Sequence, residues 1–369
     1  MAHDFPSFQI QYGYDMDIYI AKLDCDFLIN QQITRFIAAI DEFKGRWNAI
    51  EKRENRYLQE LRNIATVESI GSSTRIEGAT LGDQEVRQLL KNVKITQLRT
   101  RDEQEVIGYY EVLELIFDNF SDMAISENYI KQLHQILLKH SDKDERHRGK
   151  YKNLPNTVVA TYPTGERKTI FATTEPALVE NEMGQVIEWA NRQWAGKTIH
   201  PLVTLAVFIY EFLSIHPFQD GNGRLSRLLT TLCLLRQGYE FIRYISFENH
   251  IENHKRSYYQ ALMSGQRHRH TPEEKIEQWL LFFLESLAIL TGKLEKKYDV
   301  FKAKGGYLNE RQKQVKAYID QHQPVKAGNV FAAFPATPAS TLKKDLRYLR
   351  DEQIILSVGR GKSTVYVAK

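Results

Sequence analysis

The chain has 369 residues, 26% of them charged and 42% hydrophobic, and its 50 Lys+Arg against 46 Asp+Glu leave a net charge of +4. Those proportions exclude a disordered or fibrous chain, and the length predicts two or three domains, each able to bury a core of its own. Cys25 and Cys233 form no CxxC or Cys/His cluster, so neither a disulfide framework nor a zinc site is expected, and a reducing cytoplasm fits.

The opening MAHDFPSFQIQYGYDMD has no basic region followed by an apolar core and does not read as a signal peptide. From about Asp24 to Gly78 the apolar residues Leu28, Ile33, Phe36, Ile37, Ile40, then Leu58, Leu61 and Ile64 recur at helical steps, with Gly78 as a stop. Gln104 to Asp118 and Ser126 to His140 read as further helices, the second carried by Ile130, Leu133, Ile136 and Leu137. Thr157 to Thr161 and Thr169 to Phe171, around Pro163-Thr164-Gly165, read as a β-hairpin in an otherwise helical chain. Helices are expected again over Glu175 to Gln193 and over Pro201 to Ile215, the latter apolar nearly all round and therefore central.

A long helix is predicted from Pro272 to Tyr298. Its apolar run from Trp279 to Leu290 is interrupted by Glu285 and falls short of the roughly 20 residues of a membrane span, so no membrane partner is expected. After a linker at Lys302-Ala303-Lys304-Gly305-Gly306 come three short helices, Leu308 to Gln321, Ala327 to Phe334 and Ser340 to Glu352. A hairpin of Ile354 to Val358 and Thr364 to Ala368 around Gly359-Arg360-Gly361 completes a winged helix-turn-helix order. Three units result: 1–105, 106–300 and 305–369.

The chemistry concentrates in His216-Pro217-Phe218-Gln219-Asp220-Gly221-Asn222-Gly223-Arg224-Leu225-Ser226-Arg227. Gly221 and Gly223 flanking Asn222 let backbone N–H groups form an anion nest at the start of the next helix, which Gly238 ends. Arg224 and Arg227, three apart, share a helix face and suit successive phosphates. Asp220 is a hard oxygen ligand placed for Mg²⁺, and His216 is placed to accept a proton from an attacking hydroxyl.

These twelve positions match the signature HPFxxGNGRxxR with an acidic fifth residue, and the chain resembles the Fic family. The resemblance implies a mainly α Fic-type helical core with a β-hairpin flap, here joined to the C-terminal winged helix. It also implies transfer of AMP from ATP to a Ser, Thr or Tyr hydroxyl of a target protein. In that reading His216 is the base, and Asp220 holds Mg²⁺ against the α- and β-phosphates. Gly221, Asn222 and Gly223 form the anion hole, Arg224 contacts the β-phosphate, and Arg227 contacts the γ-phosphate. The presence of both arginines favours nucleotidyl transfer over the kinase chemistry of the related Doc branch. Asn156, Thr157, Val158 and Val159 match the family's flap, although Lys152 stands where the family usually has arginine. Tyr258, beside Tyr259, matches an aromatic pair near the adenosine. Self-association is common in the family, so a homodimer is a candidate partner.

Ser73-Thr74-Arg75-Ile76-Glu77-Gly78 matches the family's inhibitory motif (S/T)xxxE(G/N). Ser73 and Glu77 share a helix face, so the carboxylate is expected to take Arg227 away from the γ-phosphate, with self-modification following its removal. The same glutamate aligns a water in some relatives, which keeps removal of AMP as a second activity.

Other signals are weaker. Gly361-Lys362-Ser363 lacks the first glycine and the strand-to-helix context of a phosphate loop, His250 and His254 lack a third zinc ligand, and Arg267-His268-Arg269-His270 reads as a solvated basic loop. Residues 305–369 hold 11 Lys+Arg against 5 Asp+Glu, so the small net charge conceals a basic module on a slightly acidic body. A DNA-binding module, which would make the protein a regulator, and a protein-interaction module that presents targets are the two readings of this unit; Lys343, Lys344, Arg347 and Arg350, with Arg360 and Lys362, favour DNA electrostatically but identify no sequence.

Overall fold

The computed structural model describes residues 17–51, 56–92, 97–161, 167–303, 308–351, 354–359 and 361–368. The turn at 162–166, the linker positions 304–307, residue 360 and the first sixteen residues, all of which enter the expectations above, lie outside the described residues.

Six helices come first: α1 (Ile18–Ala21), α2 (Phe27–Glu51), α3 (Arg56–Ile76), α4 (Asp83–Asn92), α5 (Arg101–Asn119) and α6 (Glu127–Leu137). The strands β1 (Thr157–Thr161) and β2 (Arg167–Ala172) follow. Then come α7 (Val179–Gly196), α8 (Pro201–Ile215), α9 (Asn222–Arg236), α10 (Phe247–Asn253), α11 (Lys255–Gln266) and α12 (Glu277–Ala303). The last unit comprises α13 (Glu310–His322), β3 (Val325–Lys326), α14 (Ala327–Ala333), α15 (Ala339–Asp351), β4 (Ile355–Val358) and β5 (Val365–Ala368).

The helix starts have visible local causes. Thr100 caps α5 in a reciprocal capping box with Glu103, and Ser126 caps α6 through the Tyr129 N–H. His200 caps α8, and Pro201 takes its first turn. Helix α8 is buried from Leu202 to Ile215 except for the partly buried Val203, as its nearly all-round apolar sequence requires, and packs on α7, α9 and α12.

The structure amends several expectations. Helix α4 was absent from them, because its short amphipathic pattern follows closely on Gly78. The long helix begins at Glu277 rather than Pro272, since residues 271–276 form a turn, and it runs on through Ala303 into the expected linker. Helix α5 crosses the expected boundary at residue 105, and one hydrophobic cluster runs from Tyr19 to Tyr298, so the first two expected units share a core. Residues 308–355 contribute a separate cluster around Val315, Ile319, Leu342 and Leu346. There the expected two-stranded hairpin has a third strand, giving the order β3-β5-β4. No described helix is long and apolar enough to cross a membrane.

Candidate active site

The loop between α8 and α9 is the place where the fold gathers chemistry. His216 ends α8 in the left-handed region at φ 53° and ψ 61°, an unfavourable conformation for a side-chain-bearing residue that the surroundings must hold. Asn222 fixes the loop from within: its Oδ1 accepts from the Phe218 N–H at 2.9 Å and its Nδ2 donates to the Phe218 carbonyl at 2.7 Å. Gly221 caps α9 at φ 81°, a backbone position that favours glycine, and Gly221 to Gly223 at the N-terminus of α9 line the cavity.

His216 is half-buried, and its Nδ1 lies 3.4 Å from the Leu213 carbonyl. A carbonyl only accepts, so Nδ1 carries the proton and Nε2 is the basic nitrogen. Burial, aided by the nearby Lys152 ammonium, pushes its pKa down to about 4 and keeps the ring neutral near pH 7. Asp220 accepts from Arg224 Nη2 at 3.1 Å, Arg101 Nη2 at 3.2 Å and the Gly221 N–H at 2.6 Å. Burial raises its pKa, but Arg224, the Gly221 N–H and Arg101 outweigh that and hold the carboxyl below its usual range.

Arg224 and Arg227 are both buried. Arg224 Nη1 is ion-paired with Glu105 at 3.3 Å, but among the described residues neither Nε nor Nη1 has a hydrogen-bond partner of good geometry. Arg227 is held by Ser73 of α3 and by Glu77 just beyond its end: Nε donates to Ser73 Oγ at 2.8 Å, and Nη2 donates to the Ser73 carbonyl at 2.9 Å and to Glu77 Oε1 at 2.8 Å. The Glu77 carboxylate lies so close to Gly223 that a Cβ there would collide with it. Burial pushes the Glu77 pKa up, but Arg227, Arg224 and Lys255 overcome this and keep it depressed. An anion already sits over the nest.

The cavity at this point has a volume of about 140 Å³ and is lined by Glu77, His216, Asp220 to Gly223, Arg227, Phe171, Tyr258, Tyr259 and Leu262 among others. Sites for drug-sized ligands run to roughly 300–1,000 Å³, so Glu77 fills part of the space a ligand would take. Of the expected site residues the structure brings His216, Asp220, Gly221, Asn222, Gly223, Arg227, Tyr258 and Glu77 to this cavity, with Arg224 behind Asp220 and Ser73 behind Arg227. Gly78 follows the end of α3 at φ 109°.

The hairpin residues divide differently. Asn156 is tied into the root of the hairpin, its Oδ1 accepting from Lys152 and Thr173 and its Nδ2 donating to the Phe218 carbonyl. Thr157 is exposed and pairs with Ala172, whereas Val158 pairs with Phe171 and Val159 with Thr169. The wall that β2 gives the cavity is Phe171.

His134 escapes the sequence pattern. Fully buried on α6, it stacks on Phe218 at 3.8 Å, accepts from the Gly149 N–H through Nδ1 at 2.8 Å and donates from Nε2 to the Asp220 carbonyl at 2.9 Å. Arg101 and Glu105 were also missed. No spacing rule joins these residues to a loop 86 or more positions away; only an apolar-face histidine at helical step from Ile130 and Leu137 could have drawn notice.

Fold and site together define a helical protein that gathers a helix N-terminus, two buried arginines, a carboxylate and a neutral histidine at one cavity. Residues 124–234 match the sequence model of the Fic/DOC family. A protein adenylyltransferase Fic of Drosophila willistoni is 28% identical over 207 residues, 56% of this chain and 39% of that relative, so the match spans well under half of the relative's length. A Fic family protein of Desulfovibrio desulfuricans shares the fold with a TM-score of 0.61 at 21% identity, covering 92% of this chain and 96% of that one. A Fic domain-containing signaling protein of Bacteroides thetaiotaomicron superposes with a TM-score of 0.57 at 21% identity over 74% of this chain and 99% of its own. Residues 124–234 thus carry the likeness to the Fic/DOC family, and the fold extends it over most of the chain.

Proposed function

We propose that the protein is a protein adenylyltransferase that transfers AMP from ATP to a Ser, Thr or Tyr hydroxyl of a target protein and is held back by Glu77. The observation that carries this reading is the anion nest at the start of α9, flanked by a neutral His216 and by the buried Arg224, and occupied by the protein's own carboxylate. In the transfer the hydroxyl oxygen attacks the α-phosphorus and the bond to the pyrophosphate oxygen breaks. The hydroxyl proton passes to Nε2 of His216, and pyrophosphate leaves. Arg224 would contact the β-phosphate, and Arg227, once freed from Ser73 and Glu77, the γ-phosphate. The apolar wall of Tyr258, Tyr259 and Leu262 would take the adenosine.

Among the described residues no three His, Cys, Asp or Glu side chains gather as a metal site. Mg²⁺ needs only one or two carboxylates when phosphate oxygens and waters complete its shell, so the single charged Asp220 fits it. Bound there, Mg²⁺ supplies neutralisation of the phosphate charge. While Glu77 stays over Gly223, the γ-phosphate is denied Arg227 and the α-phosphate is misplaced for in-line attack. The charged Glu77 is also placed to orient a water, which favours hydrolytic removal of AMP as the second reading.

ATP labelled on the α-phosphate tests the reaction class. Label from the α-position is expected to become protein-bound with Mg²⁺ while label from the γ-position is not; transfer of the γ-label would identify a kinase instead.

We read residues 305–369 as a winged helix whose partner is DNA. Lys343, Lys344, Arg347 and Arg350 are all exposed on α15, while Asp345 on the same helix is turned inward to Arg311. Salt-dependent gel shifts of the whole chain, weakened by Lys343→Glu with Arg347→Glu, support this; absence of binding at low salt leaves a protein-interaction module.

A further inference from the structure

Lys152 occupies the position where α8, the catalytic loop and both ends of the hairpin meet. Its side chain is 3% exposed, and no carboxylate of the described residues lies within ion-pair distance of it. All three donors of the ammonium are nevertheless used: on Asn156 Oδ1 at 2.9 Å, Thr173 Oγ1 at 2.7 Å and the Ile215 carbonyl at 3.1 Å. Its backbone N–H donates to the Pro217 carbonyl at 2.8 Å, and Asn156 Nδ2 donates to the Phe218 carbonyl at 3.0 Å. The carbonyls of residues 215, 217 and 218 are thus held from the hairpin root on both sides of His216, whose left-handed backbone needs such restraint. Asn156 precedes β1 and Thr173 follows β2, so one ammonium ties both roots of the hairpin to the loop that bears the base.

We propose that Lys152 is a positioning residue whose charged ammonium holds His216 and the two ends of the hairpin in working register, so that transfer fails when alkaline pH removes the proton. The proposal rests on reading His216 as the base of the transfer.

A neutral amine has two N–H donors for three acceptors, so on deprotonation one of the three ties is lost and the others lose their charge assistance. The charged groups facing Lys152 are few. Glu175, after β2, and Glu182, on α7, favour the ammonium, and His216 is neutral in the range that matters. Burial prevails over the two glutamates and pushes the Lys152 pKa down to about 8. The arginine usual at this position in the family keeps its charge throughout.

The experiment compares pH–rate profiles from pH 6.5 to 10 for self-labelling by α-labelled ATP in the Glu77→Gly background, with Lys152, Lys152→Arg or Lys152→Met. With lysine, the maximal rate is expected to fall about tenfold per pH unit above a midpoint near 8. Lys152→Arg moves that limb up by more than one unit, and Lys152→Met lowers the maximal rate at pH 7.5 by tenfold or more with little change in KM for ATP. The same alkaline limb in Lys152 and Lys152→Arg proteins overturns the proposal, as does a Lys152→Met protein with the parental rate and profile.

A second measurement is independent of turnover and of Lys152→Arg folding. In the unsubstituted protein with ε-¹³C-lysine, the Lys152 resonance is expected to titrate with a midpoint near 8, and a midpoint at or above 10 overturns the proposal. A Glu77→Gly protein inactive at every pH sinks the adenylyltransferase reading, while the resonance still reports on Lys152.

Discussion

Glu77 Oε1 accepts a hydrogen bond from Arg227 Nη2 at 2.8 Å across 150 positions of sequence, and the same carboxylate lies against Gly223 at the mouth of the anion nest. One side chain thereby engages Arg227 and lies over the start of α9. In the function proposed above, the brake works by occupancy as much as by charge.

If so, the length of the side chain matters as well as its sign. Glu77→Gln keeps the volume and a hydrogen-bond acceptor but loses the charge, and is expected to raise self-labelling by less than Glu77→Gly does. A charge-assisted hydrogen bond contributes about 1.5–3 kcal/mol, so full release is expected to raise the rate by roughly 10- to 100-fold. Rates of α-label incorporation for the two variants check the order.

The brake helix has its own latch. Arg75 donates to Glu252 Oε1 at 2.7 Å and Oε2 at 2.9 Å, and to Asp83 Oδ1 at 2.9 Å, while Lys255 Nζ donates to the Ile76 carbonyl at 2.7 Å. Glu252→Gln weakens this hold on α3 without touching the cavity. It is expected to raise self-labelling severalfold, less than Glu77→Gly, and to add little on top of it, which a double-mutant comparison measures.

His134→Ala tests the support of the loop. The substitution removes the ring from Phe218 and leaves the Gly149 N–H and the Asp220 carbonyl without partners, a cost of about 1–3 kcal/mol for each buried orphan. A lower melting temperature together with loss of label transfer in the Glu77→Gly background is the expected outcome. His134→Gln, which can donate and accept, is expected to recover part of the stability.

Much of this arrangement was legible in the chain itself. Helix α8, with Pro201 at its start and apolar residues on every side, needs no tertiary information, and the twelve residues from His216 to Arg227 lie on one loop and one helix end. The contact of Glu77 with Arg227 was readable through the resemblance to the family's inhibitory motif, since an (i, i+4) pair with serine fixes a face but not the arginine that meets it. His134, Arg101 and Glu105 were not, because helix packing brings them to the loop and no periodicity encodes which helix lies beside which. Strand β3, two residues long, carries too little pattern to announce itself. The hairpin was legible as strands, but the role of Asn156 at its root depends on Lys152 and Thr173, one on each side of the hairpin.

Acid lability follows from three neutral histidines. His134, His216 and His250 are all pushed down to about 4, mainly by burial, against an unfolded value near 6.5. The unfolded chain therefore binds more protons between these values, so stability is intact above about pH 6.5 and is lost as pH falls toward 4. Each group contributes up to about 1.4 kcal/mol per pH unit in that window. Melting temperatures from pH 7.5 to 4.5 are expected to fall, and His250→Gln, far from the cavity, is expected to flatten the slope.

The central claim is that Glu77 restrains an adenylyltransferase whose base is His216. Its most direct test is the initial rate of α-label incorporation, with ATP and Mg²⁺, into the unsubstituted protein, Glu77→Gly and Glu77→Gly/His216→Ala. The account predicts weak labelling of the first, labelling at least tenfold faster in the second, and none in the third. Equal labelling of the first two, or persistent labelling without His216, would contradict it.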